Sequence, residues 1–535
     1  MFPRPRSRLR WVALGAVILL AAAGAVAAIV LTSQPGDVSN PNVEFTAPTT
    51  TNADQAPVPK GKNPTDDGFS WPDYGYTKQR GRWLPLRRSL RPPFVNQWSV
   101  TGSSLIEFPP VICKRSLFMQ KNNGALYKIS RLTGAVKWRK KLGYLAASSP
   151  ACAYGKVFSV VLARGKGVDA GRVQARSAKS GRVIWTRDLP SRAESSPVVD
   201  QGRVYFGSEN GTVYALRASD GAVRWTYKAG GAVKAALALD RGRLIFGDYS
   251  GKVQAIRQRD GSRIWRTSSA GSFGRAGRFY STPAVAYGRV YIGSLDNFVY
   301  SLSAATGKLA WRHKTGGYVY SSPAVGNPPG AGPSVYIGSY DGKLYSFDAR
   351  SGKVRWAHRA GGKISGAPVI IGDLVFYSVI STKSSAAVGV STGQEVWRTH
   401  RGAFNPGVSD GRRIYFLGYS SLFMISSRRQ KLADSRARQG LPPRKLSAAE
   451  RRRARAEQKR VRQRATNRRI ARHQRFVKRR VARRRAAVAR IYAMRRRGEK
   501  TCFRSGGKTI CRVPRPPVCV KASQTGRVTC RPRKG

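Results

Sequence analysis

Residues 204–225 read VYFGSENGTVYALRASDGAVRW, which is three short strands separated by turns. Val204 and Phe206, then Val213 and Ala215, alternate with their neighbours, and a period of two is typical of β-strands. Asn-Gly at 210–211 and Asp-Gly at 220–221 favour tight hairpins because glycine accepts positive φ. The stretch therefore predicts an antiparallel β unit that ends in a strand carrying Trp225.

The same unit recurs along most of the chain. Seven of its tryptophans follow a glycine by four residues, and a Ser-Pro or Thr-Pro step, as at Pro197 and Pro283, opens a further strand in several copies. A period of 40–47 residues indicates a propeller or a solenoid, and four short antiparallel strands per copy favour a propeller blade. The repeat tryptophans are Trp98, Trp138, Trp185, Trp225, Trp265, Trp311, Trp356 and Trp397.

The blade number follows from the two ends of the repeat. Three strands after Trp397 lack a fourth, tryptophan-bearing strand, and residues 94–98 form such a strand without a blade of its own. Joining them gives an eighth blade and removes the exposed edges of an open array. We therefore predict an all-β, eight-bladed propeller over residues 69–427. Because the tryptophans recur in every unit, we expect them to dock blade on blade rather than to bind a ligand.

The residues ASDGAVRW at 218–225 and AATGKLAW at 304–311 resemble the tryptophan-docking motif of pyrroloquinoline-quinone (PQQ) propellers. The entry sequence WPDYG at 71–75 is similar to the start of quinoprotein chains. The resemblance covers residues 69–427. It implies a quinoprotein-type fold, and we place the chain nearest the BamB-like non-enzymatic branch. The family also includes dehydrogenases and sensor ectodomains, so the fold does not decide the function.

The N-terminal region predicts an anchor and a tether. Residues 1–10 are basic, and residues 11–31 form an uncharged run that is about 31 Å long as a helix, enough to span a bilayer. The basic flank predicts that the rest of the chain is extracytoplasmic. A cleaved signal peptide, with a site near residues 25–27, is the alternative. Residues 32–68 are polar and proline-rich, which predicts a disordered linker.

The C-terminal region is strongly basic in a chain whose net charge is +72. Residues 428–500 predict an Arg-rich helix, and residues 501–535 a tail with four cysteines that allow three disulfide pairings. We expect the helix to bind anionic lipid or cell-surface polymer, and nucleic acid only non-specifically; a solvated, composition-biased extension is the alternative. The candidate residues are Arg451, Arg452, Arg453, Arg479, Arg480, Arg483, Arg484 and Arg485.

Cys113 and Cys152 each follow a proline in the opening strand of adjacent predicted blades. Because the opening strands of neighbouring blades lie side by side, these two cysteines predict a disulfide between the first and second blades. Disulfides persist outside the cytoplasm, which agrees with the predicted location.

No catalytic constellation can be assembled from the sequence. A quinoprotein dehydrogenase is expected to hold calcium with Glu and Asn oxygens and usually to carry adjacent cysteines, and no two cysteines are adjacent here. Glu209-Asn210 is the one Glu-Asn pair that suggests a calcium site. Similar residues fill the equivalent turns of other blades, however, which favours a structural role for this pair. His313 and His358 occupy recurrent strand positions.

We therefore expect a membrane-anchored extracytoplasmic scaffold that binds an envelope protein or an anionic surface and needs no cofactor. A PQQ- and calcium-dependent oxidoreductase is the alternative, and a sensor ectodomain acting through a partner is a second.

Overall fold

A computed structural model describes residues 35–48, 67–86, 90–271 and 277–441, together with parts of the region after residue 446. In that region it describes residues 447–449, separate helical positions between 452 and 493, and four strands between 501 and 531. The chain divides into two units, residues 1–443 and 444–535.

Eight antiparallel blades of four strands each form the first unit, and three of these sheets gain a fifth strand from the segments before the first blade. Four strands, β1–β4, precede the first complete blade: Val38–Ser39, Ser70–Trp71, Trp83–Leu84 and Phe94–Val100. Blades 1 to 4 contain β5–β20: Val111–Cys113, Ser116–Lys121, Ala125–Ser130, Val136–Lys141; Ala151–Ala153, Lys156–Val161, Arg172–Ser177, Val183–Asp188; Val198–Asp200, Arg203–Gly207, Thr212–Arg217, Val223–Lys228; Ala238–Asp240, Arg243–Gly247, Lys252–Arg257, Arg263–Ser268.

Blades 5 to 8 complete the ring. Their strands β21–β35 are Ala284–Ala286, Arg289–Gly293, Phe298–Ser303, Leu309–Lys314; Ala324–Gly326, Ser334–Gly338, Lys343–Asp348, Val354–Arg359; Val369–Ile371, Leu374–Val379, Ser384–Gly389, Glu395–Thr399; Gly407–Ser409, Arg413–Leu417, Leu422–Ser427. One helix, α1 (Arg428–Arg438), follows directly. The first strands of neighbouring blades contact one another around the central axis.

The ring closes through β4, as the sequence predicts. This strand pairs with β35 in blade 8, with Trp98 opposite Met424 and Ser99 opposite Phe423. The outermost strand of the last blade therefore comes from the start of the repeat, and the eight-bladed all-β propeller is confirmed. Closure in this way leaves no blade short of a strand.

Each repeat tryptophan from 98 to 356 packs on the glycine of the next blade. Trp311 in blade 5 lies over Gly352 in blade 6, where an added Cβ would be 2.6 Å from the indole ring. The Trp311 indole N–H donates to the Ala349 carbonyl at 3.0 Å, so the contact is polar as well as apolar. The other pairs are Trp98–Gly134, Trp138–Gly181, Trp185–Gly221, Trp225–Gly261, Trp265–Gly307 and Trp356–Gly393. Trp397 instead packs against Phe94 and Phe416 of blade 8.

A buried ion cluster supports the junction of blades 8 and 1. Arg413 binds Asp410 at 2.8 Å and Asp434 of α1 at 2.5 Å. Arg131 of blade 1 binds Asp67 at 2.8 Å and lies 3.5 Å from Asp410. All five side chains are buried, so each charge depends on its partners in the cluster.

Part of the segment predicted to be a disordered linker is ordered. β1 pairs with the outer strand β24 of blade 5, and Val43 is buried in the hydrophobic cluster of blades 5 and 6. Arg289 donates to the Val43 and Glu44 carbonyls at 2.6 and 2.8 Å. The prediction of disorder over residues 32–68 is therefore wrong for residues 35–48. Val43 is buried and Phe45 is half-buried against the same cluster, and main-chain pairing to a blade edge compensates for the polarity of the rest.

The predicted anchor at residues 11–31 lies outside the described residues. Among the residues that are described, no helix is long and apolar enough to cross a membrane.

In the second unit, the described positions between 448 and 493 are helical. Its strands β36–β39, Thr501–Ser505, Lys508–Arg512, Val518–Lys521 and Val528–Arg531, form two hairpins. Their register sets Cys502 opposite Cys511 and Cys519 opposite Cys530.

The docking contact predicts a difference between two glycine substitutions. Gly352 and Gly330 share a left-handed backbone, with φ of +75° and +74°, but only Gly352 faces a tryptophan ring. We expect Gly330→Ala to cost about 1–2 kcal/mol of backbone strain, and Gly352→Ala about 1–3 kcal/mol more because of overpacking. Urea unfolding of both variants measures this, and equal losses would show that the indole contact does not require glycine.

Candidate functional site

The chain's own residues 70–86 fill the lower part of the propeller axis. β2 pairs with β5 of blade 1, and β3 runs parallel to β29 of blade 7. Between them the segment accepts main-chain hydrogen bonds from the inner strands of blades 2, 4, 5 and 6. The donors are the amides of Cys152, Leu239, Val285 and Val325, at 2.8–3.0 Å. The segment therefore acts as an axial plug that contacts nearly every blade.

Two arginines carry positive charge into this plug. The Arg80 guanidinium is fully buried and donates to the carbonyls of Tyr74 at 2.6 Å and Leu237 at 2.8 Å. It also donates to the Ser196 and Pro197 carbonyls at 3.3 and 3.2 Å. The loops that enter the inner strands thus direct their carbonyl oxygens toward the axis, where Arg80 satisfies them. Burial lowers the pKa of Arg80 to about 10, so it stays charged at neutral pH.

Arg82 and Asp73 lie beside Arg80. The Arg82 guanidinium is 4.5 Å from the centre of the Tyr74 ring and donates to the Pro323 carbonyl at 3.2 Å. Asp73 is buried, and burial raises its pKa to about 6 although Arg80 and Lys78 oppose the shift. Deep burial without a close ion-pair partner therefore makes the Asp73 carboxylate costly above pH 6.

A funnel opens above the plug. The loops before the inner strands line it, with Glu107, Glu194, Lys234, Tyr280 and Tyr320 on its wall. Tyr74 of the plug also lines it, and the cavity has a volume of about 40 Å³. Since small-molecule pockets usually enclose about 300–1,000 Å³, the funnel accepts only a small group without rearrangement.

One lysine neutralises two of the carboxylates near the funnel. Lys234 Nζ lies 2.8 Å from Glu194 and 2.7 Å from Glu209. Burial lowers the pKa of Lys234, but these two ion pairs outweigh burial and raise it. Burial raises the pKa of Glu194, and Lys234 opposes that shift.

Tyrosines occupy the other side of the funnel. The Tyr280 and Tyr320 rings meet edge to face with centres 5.7 Å apart, and Tyr320 lies 4.7 Å from Tyr340. The Tyr280 hydroxyl donates to Glu194 at 3.4 Å. Burial raises the pKa of Tyr280 well above its usual value, so its hydroxyl is a hydrogen-bond donor and not a base at neutral pH.

The predicted disulfide and the repeat tryptophans of the propeller lie outside the lining of this funnel. Cys113 and Cys152 form a disulfide between blades 1 and 2, with Cα atoms 6.5 Å apart. The repeat tryptophans lie between blades, in the contacts described above. Arg452, Arg453, Arg479, Arg480, Arg483 and Arg485 are helical and exposed, and Arg451 and Arg484 lie outside the described residues.

Glu209 and Asn210 do not form a common site. Glu209 binds Lys234, whereas the Asn210 side chain accepts from Ser208 at 2.7 Å and from the Thr212 amide at 3.1 Å. His313 contacts Asp37 at 2.9 Å and His358 contacts the Tyr377 hydroxyl at 2.8 Å, both in outer strands.

The plug and the funnel were missed at the level of sequence. The stretch from Trp71 to Arg82 is aromatic, basic and unlike the repeat, and that departure is the signal that could have identified it. Glu107, Glu194, Lys234 and Tyr280 occupy comparable loop positions where the residue type changes from blade to blade.

A family model described as outer membrane protein assembly factor BamB matches residues 169–317 and 296–503. These matches span more than half of the chain. The chain belongs to this PQQ-like β-propeller family. No curated protein matches the sequence.

Solved structures show the same fold at low identity. BamB from Moraxella catarrhalis has a TM-score of 0.52 and 15% identity over 62% of this chain and 100% of that one. Quinohemoprotein alcohol dehydrogenase ADHIIG from Pseudomonas putida HK5 has a TM-score of 0.58 and 15% identity over 70% and 81% of the two chains. A europium-containing methanol dehydrogenase has a TM-score of 0.55 and 13% identity over 67% and 98%.

The described residues do not fit the quinone and metal of a PQQ-dependent enzyme. The cavity of about 40 Å³ is too small for a multi-ring quinone. Glu194 and Glu209 already bind Lys234, and in the described part of the chain no group of three His, Cys, Asp or Glu residues could hold a metal ion. A hard cation such as calcium needs six or more oxygen ligands, which these residues do not supply.

The buried Asp73 predicts a loss of stability on going from acid to neutral pH. Between about pH 4 and 6 the folded protein keeps the Asp73 proton that the unfolded chain releases, so the free energy of unfolding falls as pH rises. A shift from 3.8 to about 6 corresponds to about 3 kcal/mol. We expect Asp73→Asn, which keeps the side-chain acceptor, to lack this component in urea unfolding.

The control is Asp169→Asn on the propeller surface, where the carboxylate is 88% exposed. It should keep the wild-type dependence on pH. If Asp73→Asn followed the wild-type profile as well, the carboxylate would not be buried in solution.

Proposed function

We propose that the protein is a membrane-anchored, extracytoplasmic binding or scaffold protein. Its propeller binds a protein or a small ligand at the funnel face, and its basic C-terminal region contacts anionic envelope surfaces. The observation that carries the proposal is the occupied axis: residues 70–86 fill the channel, and the cavity above them holds only a small group.

The charges of the funnel also support binding over catalysis. The Glu194 and Glu209 carboxylates are held by Lys234, so neither is free to act as a general base. The description of the matching family as an assembly factor is consistent with a scaffold.

The ordered residues 35–48 support a propeller held close to the membrane. Gly36 accepts a hydrogen bond from Arg312 at 2.8 Å, so the chain is attached to blade 5 only five residues after the predicted span. Five residues reach at most about 18 Å. With the anchor inserted, the edge of blade 5 lies within about that distance of the bilayer, where exposed basic side chains are attracted to anionic lipid.

Reconstitution separates the binding function from the oxidoreductase alternative. The full-length protein is incubated with PQQ and calcium, and binding is followed by calorimetry and turnover by dye reduction with alcohols and sugars. Because the funnel lacks the space for a quinone and the oxygen ligands for calcium, we expect no stoichiometric PQQ binding and no dye reduction. Saturable binding with turnover would overturn the proposed function.

Binding to anionic vesicles tests the C-terminal region. The full-length protein, held in zwitterionic nanodiscs, is mixed with anionic vesicles at low and high salt. Each basic residue near an anionic surface contributes about 1 kcal/mol, so changing the eight candidate arginines to Gln should weaken binding at low salt by at least about a hundredfold. Salt should abolish most of the wild-type affinity.

A matched variant removes the same number of charges from the propeller surface. It carries Gln at eight exposed basic residues: Lys137, Lys166, Arg182, Arg224, Arg263, Arg266, Lys308 and Lys353. We expect this variant to lose much less affinity than the C-terminal one. Equal losses would show that net charge, and not the C-terminal region, drives the binding.

A further inference from the structure

We propose that the funnel binds an alkylammonium group, with the Glu107 carboxylate and the surrounding aromatic rings as its binding site. The inference rests on the proposed binding function and names the chemical class of the ligand. It depends on three features of the funnel: a carboxylate without a cation, an internal lysine that shows how the funnel holds an ammonium group, and the aromatic lining.

Glu107 is the carboxylate without a cation. Its Oε2 accepts a hydrogen bond from Asn122 at a long 3.4 Å, and no Lys, Arg or His side chain in the described part of the chain pairs with it. Asn405 donates to the Glu107 carbonyl at 2.8 Å, which holds the loop in place. Burial raises the pKa of Glu107, and the nearby Glu194 adds to this. A cation bound here would offset both the desolvation of the Glu107 carboxylate and its repulsion from Glu194.

Lys234 shows that this funnel binds an ammonium group. Its Nζ lies between the Glu194 and Glu209 carboxylates and 5.7 Å from the centre of the Tyr249 ring. Two carboxylates and one aromatic ring therefore hold a primary ammonium group of the protein itself. Glu107 provides a further carboxylate on the same wall, with no lysine opposite it.

Aromatic rings surround the space next to Glu107. Tyr74 and Phe108 meet edge to face at 5.5 Å, and Tyr280 lines the same cavity. The face of an aromatic ring attracts cations, by about 0.5–2 kcal/mol per ring depending on exposure. A carboxylate beside such rings selects an organic cation over a neutral group of equal size.

The size of the cavity agrees with this ligand. Its volume of about 40 Å³ holds a few water-sized groups, which suits the head of an alkylammonium chain. The net charge of +72 opposes the approach of cations, but this long-range repulsion is screened at physiological salt. The interaction at the site itself is much less screened.

The test uses the full-length protein at constant, physiological ionic strength. The probes are methylammonium chloride, N-acetyl-lysine N-methylamide and, as a neutral analogue of methylammonium with the same number of heavy atoms, methanol, with binding followed by saturation-transfer NMR. We expect both ammonium probes to bind saturably and the alcohol to bind at least about tenfold more weakly. A tighter affinity for the lysine amide indicates a peptide ligand, and equal affinities indicate a free amine.

Two pairs of variants locate the site. Glu107→Gln should weaken ammonium binding by at least about tenfold, whereas Asp169→Asn, at an exposed carboxylate outside the funnel lining, should leave it unchanged. Tyr280→Phe keeps the ring and should retain binding, and Tyr280→Leu should weaken it by about threefold or more. Thermal unfolding of each variant shows whether the propeller is intact.

The inference is overturned if neither ammonium probe binds saturably, if the alcohol binds equally well, or if folded Glu107→Gln keeps the wild-type affinity. These outcomes are distinct from failure of the proposed function, which would appear as PQQ-dependent turnover. A protein that binds neither PQQ nor ammonium would remain a scaffold with a different ligand.

Discussion

The hydrogen bonds of the buried Arg80 guanidinium determine what the centre of this propeller can do. Eight inner strands converge on the axis, and loops that enter them direct carbonyl oxygens into a narrow, buried space. Unpaired carbonyls there would be costly, because a buried acceptor without a donor loses its hydration. Arg80 satisfies three of them, those of Ser196, Pro197 and Leu237, and also the Tyr74 carbonyl of the plug.

The character of the funnel follows from that arrangement. Because the plug brings Tyr74 and two guanidinium groups to the axis, the space above it is shallow and has an aromatic residue at its base. Lys234 forms ion pairs with Glu194 and Glu209. Of the carboxylates of Glu107, Glu194 and Glu209, only that of Glu107 has no ion pair with the lysine. The fold is shared with dehydrogenases, but here the plug fills the axis and leaves too little space for a quinone cofactor.

Residues outside the repeat secure the ring as well as the axis. The repeat supplies the same tryptophan–glycine contact between most blades, which fixes their spacing. At the junction of blades 8 and 1, Arg131 and Arg413 join Asp67, Asp410 and Asp434 in one buried cluster. The start of the plug, the last blade and α1 thus depend on a single network, since removing one partner would leave a buried charge uncompensated.

The sequence by itself determined the blade. The spacing of Trp138, Trp185 and their equivalents, the preceding glycines and the strand left over at residues 94–98 predicted eight blades and their closure, because every blade must meet the same packing requirement. The disulfide between Cys113 and Cys152 followed from the same periodicity.

Only the tertiary structure decided where the segments that do not repeat are placed. Residues 35–48 were predicted to be disordered, since their composition does not show that a blade edge offers them main-chain partners and one apolar pocket. In the sequence, Arg80 and Asp73 belong to an ordinary polar stretch. Both side chains are buried only because the loops of the closed ring converge around them. Glu107, Glu194 and Lys234 are far apart in sequence, and only the closed ring brings them to one funnel. There, burial and the charges of their neighbours shift their pKa values.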